Sequence, residues 1–228
     1  MKQKKTDILI IGLGLAGITA AITAAKKGKK VTIITKTKEV VSGSTPWAQG
    51  GIVYKGKKDS SKKLKQDILI AGAGHCWEEA VNHLCEKGPK LVKKILIETL
   101  QTKFDKKENV LKRVAEGAHS VPRVIYKADE TGKNIHASAI SYLQSLNNVE
   151  ILTQHMAIDL LTFSHHSTIS TDIYKKPACF GAMVLDNNNS VVAILASKTI
   201  LASGGIGQLF LHTTNPKEAT GDGIAMAW

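Results

Sequence analysis

The sequence is poor in arginine, and this shortage argues against one large class of basic proteins. Arg113 and Arg123 are the only arginines among 31 Lys and Arg residues. Proteins that read nucleic acids depend on arginine for two-pronged contacts with bases and phosphates. The net charge of +12 is therefore carried by scattered lysines, which we interpret as a solvated surface without a nucleic-acid partner.

Cysteine is scarce as well, which argues against a disulfide-stabilised or zinc-binding protein. Cys76, Cys85 and Cys179 are odd in number and have no Cys-x-x-Cys spacing, so they cannot build a disulfide framework without leaving one thiol over. His75 and His83 lie near the first two, but the spacings fit no common zinc finger or ribbon, and we expect no metal site. A reducing cytoplasm is the natural setting for such a chain.

Long apolar runs are also missing. No stretch approaches the roughly 18 to 20 apolar residues that a membrane-spanning helix needs. The apolar run at residues 8–11 is too short for the core of a secretory signal. The length of 228 residues and a hydrophobic content of 43% are nevertheless enough to bury a core. We therefore expect a globular cytoplasmic protein with no membrane partner.

The first 35 residues predict the beginning of an α/β fold. A β-branched run at residues 7–11 leads into Gly12-x-Gly14-x-x-Gly17, and an alanine-rich segment at residues 18–27 and a second β-branched run at residues 31–35 follow. This order of strand, glycine turn, helix and strand is a βαβ unit, which builds a parallel sheet.

The rest of the chain adds helices and strands to that beginning. Apolar residues recur at helical spacing at residues 65–72, 78–87, 89–100 and 131–146. Strands are predicted at residues 149–152, 180–185, 191–195 and 198–202, of which the second and third form a hairpin around three asparagines. The predicted fold is a doubly wound, Rossmann-like α/β domain with a parallel central sheet and an added β-hairpin region.

The glycine motif is typical of a dinucleotide site. Gly12 allows the tight turn, Gly14 lets the backbone approach a pyrophosphate, and Gly17 lets the helix pack closely on the strand. A glycine turn that merely packs well remains the alternative. The acidic residue that holds a ribose in NAD-binding proteins is missing, because Thr35 and Lys36 occupy its place, and this argues against NAD in particular.

A second candidate site is the loop at residues 42–51. It is rich in Ser, Gly and Thr, and such small residues let a backbone lie close against a flat ligand. Ser44, Thr45 and Gln49 supply hydrogen-bond donors and acceptors at short spacing. As a bare pattern, the segment would more often be a flexible loop.

A series of short segments occurs in the order found in L-aspartate oxidases, which are relatives of the flavoprotein subunits of succinate dehydrogenase and fumarate reductase. The segments are residues 12–17, 43–52, 71–74, 116–120, 128–132, 202–205, 213–216 and 220–228. The chain resembles this family from residue 7 to residue 228. The resemblance implies that residues 1–228 are the N-terminal part of an FAD-binding domain, with the capping domain, the remainder of the FAD domain and a C-terminal helical domain outside them.

The resemblance also implies that the cofactor is FAD and that it is bound non-covalently. The succinate dehydrogenase and fumarate reductase flavoproteins attach FAD through a histidine at the position of Ser44, four residues before Ala48, and a serine cannot form that link. The implied pyrophosphate-binding residues are Gly12, Leu13, Gly14, Leu15, Ala16 and Gly17. The implied contacts to the rest of FAD come from Lys36, Ser44, Thr45, Pro46, Trp47, Ala48, Gln49, Gly50, Gly51, Met156, Ala157, Gly204, Gly205 and Asp222.

By the same resemblance, the substrate is L-aspartate, the electron acceptor is oxygen or fumarate, and quinolinate synthase is a further partner in NAD synthesis. Glu116 would face the substrate ammonium, a group that succinate lacks. His119 and Arg123 are candidates for contacts with the substrate carboxylates. From the residues alone, a surface glutamate and a structural histidine are the plainer interpretations.

Two further interpretations stay open at this point. The chain resembles succinate dehydrogenase and fumarate reductase flavoproteins as well, so an enzyme of that type is one of them. The other is a truncated remnant without catalytic activity, which would bind FAD weakly or not at all.

Overall fold

The computed structural model describes residues 2–56 and 58–228. They form two compact units. The first, called the sheet unit, contains the chain up to Thr45 and again from Ala139 to Trp228. The second, called the helical unit, contains Pro46–Ser138.

The strands and helices follow one another in a mixed α/β order. The strands are β1 (Lys2–Ile11), β2 (Val31–Ile34), β3 (Ile52–Val53), β4 (Lys106–Lys107), β5 (Val110–Leu111), β6 (Val124–Ile125), β7 (Val149–Leu152), β8 (Met156–Thr162), β9 (Cys179–Leu185) and β10 (Val191–Leu201). The α-helices are α1 (Leu15–Ala25), α2 (Ser61–Ala71), α3 (Glu78–Leu91), α4 (Thr131–Gln144), α5 (Phe163–His166) and α6 (Asp222–Ala227). A π-helix spans Val92–Thr99 directly after α3.

The sheet unit is built on one six-stranded sheet in the order β7-β2-β1-β10-β9-β8. Strands β7, β2, β1 and β10 run parallel to one another, whereas β9 pairs antiparallel with both β10 and β8. The predicted βαβ unit and hairpin are both present. The mixed α/β class with a mostly parallel central sheet is therefore confirmed.

One prediction in this sheet was wrong. The sequence predicts two strands, at residues 191–195 and 198–202, but Val191–Leu201 form the single strand β10. Ser197 and Lys198 separate two apolar runs in the sequence, and both are exposed. Exposed polar side chains leave the backbone ladder intact, so the pairing with β1 continues to Ile11 opposite Leu201. The strand β8, which the sequence analysis missed, has irregular register with β9.

The core of the sheet unit explains why the first βαβ unit could be recognised. The four residues of β2 are all buried, and so are Leu9, Ile10 and Ile11 in β1. Parallel strands that are covered on both faces have such continuous apolar sequences. On one face, α1 contacts β1 and β2 and buries Ile18. Leu9, Ile11, Ile34, Ala157, Ala182, Val184, Ile194 and Ala196 form an apolar cluster.

The helical unit contains α2, α3 and two small antiparallel sheets, β3 with β6 and β4 with β5. Pro89 was predicted to begin a new helix, but it lies inside α3. Proline has no N–H to donate to the carbonyl group four residues earlier. Here the hydroxyl of Ser61 donates to that carbonyl, at Cys85, over 3.0 Å. The carbonyl is satisfied, so the helix continues through the proline.

Across residues 2–56 and 58–228, no helix has the length and apolar character needed to cross a membrane.

Candidate functional site

A cavity of about 220 Å³ lies in the sheet unit at the carboxyl ends of β1, β2 and β10. This is where open α/β sheets bind ligands. Its walls are formed by residues 11–16, 34–37, 42–45, 155–157 and 202–204, together with Glu218, Asp222 and Met226.

The three glycines of the motif differ in what surrounds them. Gly12 has a φ of +114°, and a Cβ there would overlap the carbonyl oxygen of Ala202. A Cβ on Gly17 would overlap the carbonyl oxygen of Gly12. These two positions therefore need glycine for the turn and for close packing. A Cβ on Gly14 would meet only the hydroxyl of Thr45, at 3.7 Å, and Gly14 lines the cavity.

The N-terminal end of α1 opens on the same cavity. Gly14 is the N-cap residue, and the first turn of α1 contains no acidic side chain. The first N–H groups of a helix have no partner within it and carry partial positive charge. One of them, at Leu15, donates to the hydroxyl of Thr45 over 3.1 Å. This end of the helix is a favourable place for a phosphate group.

Lys36 and Asp222, which are far apart in sequence, meet on another wall of the cavity. The ammonium of Lys36 lies 2.6 Å from Oδ2 of Asp222 and also donates to the hydroxyl of Thr220. Burial raises the pKa of Asp222, but hydrogen bonds from Lys36 and Thr220 outweigh this, and its pKa is held below the usual value. Asp222 is therefore ionised at neutral pH, and the two charges neutralise each other.

Most of the predicted FAD-binding residues of the sheet unit lie together. Those that line the cavity are Gly12, Leu13, Gly14, Leu15, Ala16, Lys36, Ser44, Thr45, Met156, Ala157, Gly204 and Asp222. Gly17 is buried in α1, and Gly205 directly follows residues 202–204, which line the cavity. Pro46, Trp47, Ala48, Gln49, Gly50 and Gly51 belong to the helical unit. His155, Glu218 and Met226 line the cavity but were not predicted; proximity to Met156 was the only signal for His155.

A second cavity, of about 300 Å³, lies in the helical unit and contains Glu116. It is lined by Gln49, Gly50, Val114, Glu116, Tyr126, Ala128 and Asp129. The Glu116 carboxylate lies over Gly50, where a Cβ would be 3.1 Å from Oε2. Glu116 is exposed, and an exposed carboxylate of this kind can accept hydrogen bonds from an ammonium group.

The suggestion that Arg123 contacts a substrate carboxylate was wrong. Its side chain is 0% exposed, and each of its three guanidinium nitrogens has a neighbouring side chain as partner. Nε and one terminal nitrogen donate to the two carboxylate oxygens of Asp59, each over 2.9 Å. The other terminal nitrogen donates to Asp67 and lies 2.9 Å from Nδ1 of His119.

Asp59 and Asp67, the ion-pair partners of Arg123, were not predicted from the sequence. Two hydrogen bonds to Oδ2 of Asp67 lower its pKa to about 2, and the bond from the backbone N–H of Ser120 has a larger effect than the bond from Arg123. Burial raises the pKa of Asp59, but hydrogen bonds from Arg123 and from backbone N–H groups bring it below the usual value. A buried arginine requires such carboxylate partners, yet no spacing in the sequence links them to it.

Comparison with known proteins identifies the family. Residues 7–228 match the family model described as the FAD binding domain. The chain belongs to the FAD binding domain family. It is 36% identical over 222 residues to the L-aspartate oxidase of Halobacterium salinarum, and this covers 97% of the chain and 42% of that protein. It is 37% identical over 227 residues to the chloroplastic L-aspartate oxidase of Oryza sativa, covering 98% of the chain and 33% of that protein.

The chain thus spans between 33% and 42% of the length of these two relatives. Solved structures show the same fold over the whole chain. The Sdh1 complex of Mycobacterium smegmatis in the apo form has a TM-score of 0.87 at 24% identity, over 100% of this chain and 39% of that one. A quinol–fumarate reductase with menaquinol molecules has a TM-score of 0.86 at 22% identity, over 100% and 38% of the two chains.

FAD is the cofactor of the FAD binding domain family, and the first cavity suits the phosphate part of it. The backbone at Gly14 leaves room for phosphate oxygens to approach closely, and the N-terminal end of α1 supplies partial positive charge beside it. The cavity volume of about 220 Å³ is below the roughly 300–1,000 Å³ that is typical of complete ligand sites. It therefore matches a portion of FAD.

Proposed function

We propose that this chain is the N-terminal part, residues 1–228, of the FAD-binding domain of an L-aspartate oxidase. The complete enzyme oxidises L-aspartate to iminoaspartate and passes the electrons to oxygen or fumarate. This reaction is the first step of NAD synthesis, and quinolinate synthase is a partner of the enzyme in that synthesis. The enzyme acts in the cytoplasm. The similarity to L-aspartate oxidases over nearly the whole chain supports this proposal.

We assign the binding of the phosphate part of the cofactor to the sheet-unit cavity. The N-terminal end of α1 receives the pyrophosphate, with Gly14 leaving room for its oxygens. Ser44 lines this cavity, and we propose that FAD stays non-covalent because a serine hydroxyl cannot supply a histidyl link. When bound, FAD supplies the acceptor for a hydride from the substrate.

We assign the choice of substrate to Glu116. The position of its carboxylate is the single observation that extends the proposal beyond FAD binding. Its exposed carboxylate lies over the glycine backbone of residue 50 in a cavity of its own. An ionised carboxylate there accepts charge-assisted hydrogen bonds from the ammonium group of L-aspartate. Succinate has no such group, so the same carboxylate gives it no hydrogen bond and repels its two negative charges.

We expect Glu116→Gln to lower kcat/KM for L-aspartate by about 10- to 150-fold in the FAD-loaded complete enzyme. The estimate follows from the loss of a hydrogen bond between charged groups, worth about 1.5–3 kcal/mol. The measurement is the rate at which L-aspartate reduces the bound flavin without oxygen. Glu79→Gln is the matched control, because Glu79 is an exposed residue of α3 and should leave the rate unchanged.

Two outcomes would contradict the proposal. An unchanged rate in Glu116→Gln would remove the substrate role of this residue. Reduction of the flavin of the unaltered complete enzyme by succinate and not by L-aspartate would instead support an enzyme of the succinate dehydrogenase and fumarate reductase type.

A further inference from the structure

The buried Arg123 makes a set of hydrogen bonds that fixes the state of a neighbouring histidine. Its guanidinium carries five N–H donors and no acceptor. Three of its bonds go to the carboxylates of Asp59 and Asp67. The nitrogen that donates to Asp67 carries a second N–H, and this nitrogen lies 2.9 Å from Nδ1 of His119.

The direction of the bond to His119 follows from the chemistry of arginine. Because a guanidinium nitrogen can only donate, Nδ1 of His119 must be the acceptor. An acceptor nitrogen carries no proton, so in the neutral ring the proton is on Nε2. His119 therefore has a single ring donor, the Nε2–H group.

The same cluster holds the chain around His119 in place. Oδ2 of Asp67 accepts hydrogen bonds from both the backbone N–H and the hydroxyl of Ser120, each over 2.9 Å. The N–H of His119 donates to the carbonyl of Glu116 over 3.1 Å, which closes a turn. Residues 116–120 are thus attached to buried charges at their C-terminal end, while Glu116 is exposed at the other end.

We propose that Arg123 is a positioning residue, which together with Asp59 and Asp67 holds His119 as the neutral tautomer protonated on Nε2. This gives the Glu116–Ser120 turn a single ring N–H donor, on Nε2 of His119. A substrate carboxylate is the chemical class that such a donor binds. The tautomer follows from the geometry alone, whereas this use of the donor rests on the function proposed above.

The tautomer can be measured in the unaltered chain by nitrogen-15 NMR of its histidine rings, without FAD or substrate. The His119 signals are assigned from their absence in His119→Gln. We expect one protonated nitrogen, Nε2, and one unprotonated nitrogen, Nδ1. A ring protonated on Nδ1, or an equal mixture of the two tautomers, would overturn the proposal. Since FAD is not needed, this outcome is distinct from a failure of the proposed function.

The positioning role is tested with Arg123→Lys, which keeps the positive charge but loses the fixed fork of donors. We expect the single tautomer of His119 to be lost and replaced by a mixture. Arg113→Lys is the matched control, because Arg113 donates to the carbonyl of Leu111 and should leave the His119 signals unchanged. An Arg123→Lys protein that folds and keeps the Nε2 tautomer would show that Arg123 does not set it.

Discussion

Replacing Gly14 with valine is expected to weaken FAD binding by about 100-fold or more while leaving the fold intact. Gly14 has φ −76° and ψ 176°, an extended conformation that valine adopts without strain. A Cβ there meets only the Thr45 hydroxyl at 3.7 Å. The branched side chain would nevertheless occupy the space in which the pyrophosphate approaches the backbone. A 100-fold loss corresponds to about 2.7 kcal/mol of binding free energy.

The measurement is a titration with FAD followed by protein and flavin fluorescence, together with urea unfolding of each variant. Gly88→Val is the matched control, because Gly88 lies in α3 of the helical unit and a Cβ there makes only an ordinary contact with Leu84. Gly12→Val should behave differently and lose both binding and stability, since its Cβ would overlap the Ala202 carbonyl. Undiminished FAD affinity in Gly14→Val would show that the pyrophosphate does not lie at this wall.

The second large effect is expected at Arg123, where substitution by methionine should lower the free energy of unfolding by about 3–5 kcal/mol. This substitution leaves Asp59 and Asp67 buried without their counter-charge, and breaking a buried ion pair from one side has about that effect. The loss is a large share of the roughly 5–15 kcal/mol typical of native proteins. Urea unfolding monitored by circular dichroism measures it.

The control for this result is the exposed ion pair between Lys65 and Glu78, whose nitrogen and oxygen are 3.2 Å apart. Lys65→Met should change the free energy of unfolding by less than about 1 kcal/mol, because exposed pairs contribute little. Equal effects of Lys65→Met and Arg123→Met would contradict the structural role of the buried cluster.

The same cluster should make stability depend on pH in the acid range. Folding lowers the pKa of Asp67 from 3.8 to about 2. A carboxyl whose pKa is lowered by folding contributes stability above its unfolded pKa, and the contribution is lost as the pH falls toward the folded value. Stability should therefore fall between about pH 4 and pH 2, and this fall should be smaller in Asp67→Asn. Identical acid profiles would contradict the assignment.

Local patterns predicted the part of the fold that local chemistry determines. The βαβ unit at the start of the chain is visible in the sequence because its strands are continuous apolar runs and its turn requires glycine at Gly12. The division of β10 into two strands was wrong because two exposed polar residues interrupt its pattern without interrupting its hydrogen bonds.

Long-range pairs could not be predicted in this way. Lys36 meets Asp222, and Arg123 meets Asp59 and Asp67, because the topology brings separate segments together. No periodicity or spacing in the sequence indicates such long-range contacts. The resemblance pointed to Arg123 as a residue for the substrate, and only its burial and its partners show that it holds other residues in place. The roles of FAD and L-aspartate came from the resemblance and not from spacing.

The most direct test of the account is whether the 228-residue chain binds FAD. We expect calorimetric titration to show saturable binding of one FAD per chain, and acid precipitation to release all of the flavin into solution, as a non-covalent cofactor requires. The absence of saturable binding would contradict the assignment of the sheet-unit cavity. Flavin that stays with the precipitated protein would contradict non-covalent attachment at the loop containing Ser44.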